Sequence, residues 1–230
     1  RRRRAVSDSG DHLAHRPTRR RGGLGHAALT ASIDIQRLVV LASGSGTNLQ
    51  AIIDGCASCE IDATVVGVAT NRPDAYALTR ANAAGIETDL VERLEGEQRR
   101  SYDARLADRV ARFRPDWVVL AGWMRILTSD FLDRFPGRVV NLHPALPGEL
   151  PGINAIERAW DEALAGERTR SGVMVHLVPD EGVDDGPVLA SRAVPVDASG
   201  TLEAFAASVH DTEHQLLVET LAVLCASDSS

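Results

Sequence analysis

"RLVVLASGSGTNLQAIIDGC", Arg37 to Cys56, is an apolar run that breaks into two glycines and small hydroxyl residues and then turns into helix-forming sequence. The apolar run reads as a buried strand, the tract after it as a helix capped by Thr47 or Asn48, and the glycines as the tight turn between them. Strand, glycine turn and helix in that order open a βαβ unit, and the following residues keep the rhythm. "ATVVGVAT" (63–70) is a strand; "DAYALTRANAAG" (74–85) is a helix running from an Asp cap to a Gly stop; "IETDL" (86–90) is a short strand. "SYDARLADRVARF" (101–113) sets Tyr102, Leu106, Val110 and Phe113 on one helical face, and "DWVVLA" (116–121) is apolar throughout. Continuous apolar strands alternating with amphipathic helices predict an α/β fold, a doubly wound, mostly parallel sheet with helices on both faces, in a single domain. In such folds ligands gather at the carboxyl ends of the strands.

Beyond residue 150 the pattern gives a helix "NAIERAWDEALAG" (154–166), a strand "SGVMVHLV" (171–178), an acidic loop "PDEGVDDGP" (179–187), an edge strand "VLASRAVPV" (188–196) and a last helix from about Thr201 to Cys225. Residues 1–34 are of another kind. They are rich in Arg, Gly and Ser without periodicity, and are expected to be a disordered tail ahead of a catalytic domain at 35–230. Eight Arg against Asp8 and Asp11 give the first 31 residues a net +6, so of the formal −7 the remainder carries −13. An acidic body argues against nucleic acid as the main partner. No apolar run is long enough for a bilayer span and no signal peptide follows the arginines, so a cytoplasmic location and no membrane partner are expected. A monomer or homodimer is expected.

All 25 basic residues are Arg. The absence of Lys removes Schiff-base chemistry, a pyridoxal phosphate lysine and the P-loop lysine. Cys56, Cys59 and Cys225 lack a second pair or histidine cluster for a tetrahedral zinc site, so no metal is expected.

Two strand ends carry the candidate chemistry. "ASGSGTNLQ" (42–50) leads into a helix N-terminus, where backbone N–H groups and the helix dipole suit a phosphate. It is a poor dinucleotide fingerprint, because Leu49 stands where the third glycine belongs and the second strand ends in Thr70-Asn71 with no acid. The second is "VVNLHPALPGELPG" (139–152). Period two aims Asn141 and His143 to one side of the sheet, and three prolines forbid regular structure behind them. Asn offers an N–H donor of fixed charge for a developing oxyanion, and His can exchange a proton near neutral pH. A carboxylate to orient the histidine is available from Asp180, Glu181, Asp184 or Asp185. Asp184, which precedes the Gly186-Pro187 turn, is preferred.

Taken in order, "VVLASGSGTNLQAII", "VVLAGWMRIL", "NLHPALPGELPG", "VHLVPDEGVDDGPV" and "HDTEHQLL" make residues 37–226 resemble the glycinamide ribonucleotide formyltransferases, folate-dependent enzymes of purine synthesis. The resemblance implies transfer of the formyl group of the cosubstrate 10-formyltetrahydrofolate to the amine of glycinamide ribonucleotide, both small molecules, without a metal. It implies that Asn141, His143 and Asp184 are the catalytic trio, with Asp184 holding His143 charged, and that His176 supports them. By the same resemblance Gly46, Thr47 and Asn48 bind the ribonucleotide phosphate and Glu213 its ribose. Met124, Arg125, Ile126 and Leu127 grip the folate, with Arg99 near its glutamate tail. Departures from the family pattern are Pro147-Gly148, Glu149 at a position often basic, His210 where some members have Gln, and Trp123 before Met124. Formyltetrahydrofolate deformylase and methionyl-tRNA formyltransferase share the Asn-x-His core. The first typically has His where this chain has Pro144, and the second adds an RNA-binding domain. A non-catalytic nucleotide-binding module using Gly44 to Asn48 is the reading from outside enzymology.

Overall fold

Alternate residues of the first strand go to opposite sides of one sheet. In the computed structural model, which describes residues 35–227, strand β1 (Gln36–Leu41) sends Leu38 and Val40 into one apolar cluster and Val39 and Leu41 into another. All four are inaccessible to solvent. A strand buried on both faces must be apolar throughout, which is why "LVVL" shows no alternation. Each such side chain contributes roughly 1.5–3 kcal/mol of burial free energy. The Arg-rich segment 1–34, expected to be a disordered tail, lies outside the described residues.

The remaining elements are helix α1 (Thr47–Ala57), β2 (Ala63–Thr70), α2 (Tyr76–Ala83), β3 (Thr88–Leu90), α3 (Arg99–Ala111), β4 (Trp117–Leu120), the short α4 (Ser129–Leu132), β5 (Val139–His143), α5 (Ala155–Leu164), β6 (Arg170–Leu177), β7 (Val188–Pro195) and α6 (Leu202–Ser227). The sheet order is β3-β2-β1-β4-β5-β6-β7. Strands β1 to β5 pair in parallel, and β6 and β7 add antiparallel, with β7 at the edge as expected. The first cluster joins Leu49, Ile52, Leu217 and Leu221 of α1 and α6 to one face; the second joins Tyr102, Leu106 and Val110 of α3 to the other. This is the doubly wound arrangement the pattern predicts.

Chain order reverses between β1 and β4, and the crevice of such a sheet opens where the two loops beyond these strands diverge. Here Ser43 N–H donates to the Gly122 carbonyl (3.0 Å) and Met124 N–H to Ser43 Oγ (3.1 Å), so the two loops form one rim.

Two helix caps differ from expectation. Gly46, in the left-handed region at φ 70°, is the N-cap of α1, with no side-chain cap, and Thr47 and Asn48 lie inside the helix. A β-carbon at Gly46 would sit 2.8 Å from Ala77 Cα, so the close passage of α2 selects the glycine. Asp74 does not cap α2: Ala75 holds that place, and the carboxylate pairs with Arg72 instead (2.8 Å). A two-residue Asp–Arg pairing within the turn competes with the cap, and sequence offers no means to rank the two. The short helix α4 carries no expectation, being little more than one turn.

Candidate active site

Asn141 and His143 end β5, with Leu142 pointing away into the core. Strand β6 runs antiparallel beside it and sets His176 directly opposite Asn141. Asn141 Nδ2 lies 3.1 Å from His176 Nε2 and donates to Asp184 Oδ1 at 3.0 Å. His176 Nδ1 faces the Leu177 carbonyl at 2.8 Å, so that nitrogen carries the proton and Nε2 accepts from the asparagine. One amide thus serves two acceptors with its two hydrogens.

His143 is almost wholly buried, and both its nitrogens meet oxygen: Nε2 at 3.0 Å from the Leu150 carbonyl and Nδ1 at 3.3 Å from Asp184 Oδ2. Gly152 N–H donates to the same Oδ2 (2.8 Å). Of the four acids in the 179–187 loop, Asp184 alone faces the pair. Asp180 Oδ1 accepts from Gly182 N–H in a local turn, Glu181 accepts from Ser129 N–H and lies 3.7 Å from Arg99, and Asp185 is exposed. Asp184 is reached at φ 54°, a region that Asp tolerates better than most residues.

Opposing forces act on these charges. Burial pushes the His143 pKa below its ordinary value, and the pull of Asp184 and of the Leu150 carbonyl does not restore it. Desolvation thus opposes the charge that Asp184 favours on His143. Burial also works to raise the Asp184 pKa, but the closeness of His176, the Gly152 N–H donor and the nearby His143 hold it below the usual carboxylate range.

The trio opens into a groove of about 760 Å³. It is lined by Gly46, Thr47 and Asn48 at the start of α1, with no side-chain cap to compete for the first N–H groups, and by Glu213 of α6. Glu213 is buried and bonded to His210 Nδ1 at 2.7 Å, a contact that raises the His210 pKa. Met124, Arg125, Ile126 and Leu127 line it as well, and Met124 and Ile126 are exposed. Arg99 stands apart, lining a smaller cavity of about 190 Å³ that shares Arg125 and Ile126 with the groove. Among the described residues no group of three or more His, Cys, Asp or Glu is arranged to hold a metal ion, and no helix is long and apolar enough to cross a membrane.

Sequence reasoning missed the backbone partners. The Leu150 carbonyl and Gly152 N–H are main-chain atoms, and only the proline- and glycine-rich spelling hints that this path matters. It also missed Arg80 of α2, whose Nε donates to the Ser45 carbonyl (2.9 Å) and brings positive charge to the glycine loop. The Pro147-Gly148 departure is a turn: Glu149 N–H donates to the Leu146 carbonyl (3.0 Å) with Gly148 at φ 77°, the Pro-Gly pattern of a type II turn. Glu149 meets Arg168, and Trp123 is buried in the second apolar cluster.

A family signature described as formyl transferase matches residues 36–221. A phosphoribosylglycinamide formyltransferase of Schizosaccharomyces pombe is 41 % identical over 199 residues, covering 81 % of this chain and 96 % of that protein. One from Escherichia coli is 40 % identical over 179 residues, covering 78 % and 82 %. Among solved structures, the glycinamide ribonucleotide transformylase 1 of Symbiobacterium toebii superposes with a TM-score of 0.78 at 37 % identity, over 84 % of this chain and 89 % of that one.

Proposed function

The chain belongs to the formyl transferase family, and from that premise we infer that it is a phosphoribosylglycinamide formyltransferase of purine biosynthesis, moving the formyl group of 10-formyltetrahydrofolate to the amine of glycinamide ribonucleotide. The observation that carries the mechanism is the convergence of Asn141 Nδ2 and His143 Nδ1 on the Asp184 carboxylate, in a groove lined by a phosphate-suited helix N-terminus and by apolar side chains.

The ribonucleotide phosphate lies at Gly46, Thr47 and Asn48, and Glu213 takes the ribose. The folate ring lies against Met124, Arg125, Ile126 and Leu127, with its glutamate tail directed toward Arg99. Both reactants are bound on one sheet, and this positioning supplies part of the rate enhancement. The substrate amine attacks the formyl carbon, and the carbonyl electron pair moves onto oxygen. That oxyanion competes with Asp184 for the donors of Asn141 and His143. A donor of this kind is worth about 2.7–4 kcal/mol in the transition state. The growing negative charge offsets the burial that disfavours imidazolium, so a His143 protonated from solvent before attack is stabilised as the oxyanion forms and keeps that proton through collapse. Collapse breaks the bond from carbon to the folate nitrogen. The attacking amine has lost a proton and the leaving nitrogen gains one, and Asp184 relays it through water. The nucleophile belongs to the substrate, which is why a chain without lysine suffices.

The test mixes the protein with both substrates and follows free tetrahydrofolate, with a control lacking the ribonucleotide. Release that requires both substrates supports the transferase. Release without the ribonucleotide would make it a deformylase, and no release in either would favour a binding module. Acting on two dissolved small molecules, such an enzyme would work in the cytoplasm as a monomer or homodimer.

A further inference from the structure

We propose that the Glu149–Arg168–Glu162 ion network is a positioning device for catalysis, holding from outside the groove the loop whose backbone orients His143 and Asp184. The rate it acts on is that of the formyl transfer inferred above.

Between β5 and α5 the chain has no regular structure, yet it supplies the Leu150 carbonyl to His143 and Gly152 N–H to Asp184. Those two contacts are only as exact as the loop. Leu150 holds its carbonyl there at φ 46°, a left-handed conformation that a residue with a branched side chain adopts only when its surroundings dictate it. The surroundings are identifiable. The Leu150 side chain is buried in the core, Leu146 lies so close to β6 that a β-carbon at Gly172 would sit 2.5 Å from Leu146 Cδ2, and Glu149, next to Leu150, is tied to Arg168. Arg168 is mostly enclosed. Its Nε donates to Glu162 in the last turn of α5 (2.6 Å), and its Nη1 donates to Glu149 and to the Arg170 carbonyl at the start of β6 (3.1 Å). One planar guanidinium therefore joins the loop, the helix after it and the strand that carries His176. Glu149 does not line the groove, so its effect on rate passes through the loop at Leu150 or through Arg168 to β6.

The test compares Glu149→Gln and Arg168→Lys with the wild-type protein. It measures kcat, both KM values, thermal stability, and the NMR titration of the His143 imidazole, assigned by its loss in His143→Gln. The groups facing that ring are Asp184, the Leu150 carbonyl, His176 and Glu213. The expected result is a kcat lowered about tenfold in Glu149→Gln with both KM values within about threefold, a smaller loss in Arg168→Lys, which keeps the charge, and a His143 titration moved to lower pH as the Leu150 acceptor withdraws. Wild-type kcat and an unmoved His143 titration in Glu149→Gln, even with reduced thermal stability, would reduce the network to a structural brace and overturn the proposal. Should the wild-type protein itself fail to transfer formyl groups, the functional reading falls, while the titration still decides whether the network positions His143.

Discussion

Replacing Asp184 by Asn isolates the charge of the trio from its shape. Asn tolerates the left-handed backbone at φ 54° almost as well as Asp does, so the loop has no conformational reason to move. The hydrogen bonds do have one. Oδ1 accepts from Asn141 and Oδ2 from Gly152 N–H, so an amide in either orientation turns an NH2 group against a donor. One buried donor loses its partner, which costs about 1–3 kcal/mol of stability and lowers Tm by about 2–10 °C. The larger effect falls on rate. At 3.3 Å from His143 Nδ1 and an effective dielectric constant near 20, the carboxylate favours imidazolium by about 5 kcal/mol, and both side chains are too buried for much solvent screening. Part of that attraction only offsets the burial of the ring. If about 3–4 kcal/mol of it acts in the transition state, kcat falls by roughly 10²–10³. The assay is steady-state release of tetrahydrofolate under saturating substrates, with a melting curve on the same sample. A kcat within about fivefold of wild type in a folded Asp184→Asn protein would refute the claim that Asp184 stabilises charge on His143.

Other outcomes follow from the same geometry. His143→Ala should abolish transfer while leaving ribonucleotide affinity, measured by calorimetry, within a few fold; turnover like wild type would remove the residue from the mechanism. Gly46→Ala puts a β-carbon 2.8 Å from Ala77 Cα at φ 70°, and should cost about 1–3 kcal/mol of stability and raise the ribonucleotide KM more than it lowers kcat. An unchanged KM would show that the α1 N-terminus does not hold the phosphate. Stability should also fall in acid. His143, with its folded pKa depressed, stays neutral while the unfolded chain protonates, so its contribution is present above the ordinary value of 6.5 and is lost as pH falls below it. Asp184, also depressed, adds stability above 3.8 that is lost as pH falls through its folded value. Urea unfolding from about pH 7 down to about pH 2 checks this. His143→Gln should flatten the upper part of the decline, and a wild-type curve that is flat or rises toward acid contradicts the sign.

The sheet was legible because burial on two faces leaves a direct mark: "RLVVLA", "ATVVGVAT" and "DWVVLA" have no polar alternation, and the structure makes strands of all three. Asn141 and His143 were legible for a related reason, since polar residues at the end of an apolar strand have no packing role to explain them. The choice of Asp184 among four acids had weaker grounds, and the structure supports it through the left-handed turn that swings this carboxylate inward. Helix caps were legible only in part. Ser, Thr, Asn and Asp can cap, but at α1 the close approach of Ala77 decides for Gly46, and at α2 Arg72 takes the Asp74 side chain. Both are contacts that local pattern does not encode. The direction of the His143 shift was beyond reach, because desolvation depends on how much protein closes over the ring.

A pattern joins what was missed. Leu150, Asn154 and Asp184 are non-glycine residues at positive φ, and they lie in the two loops that close around the trio. Local preference alone would use glycine at such points, and glycine is near at hand in "PGELPG" and "EGVDDG". At these three positions the backbone or side chain touches His143, borders the groove or meets Asn141, whereas Cys59 and Arg114, also at positive φ, do not line the groove. Glycine at 150 or 184 would reach the same backbone angles while also allowing many others, and a carbonyl or carboxylate free to wander cannot hold an imidazole at 3.0–3.3 Å. Side chains that resist the conformation, once locked by packing at Leu150 and by the polar neighbours Asn141, Gly152 and His143 at Asp184, convert strain into fixed direction. In this site, therefore, the residues least favoured by their own backbone are the ones that aim the chemistry.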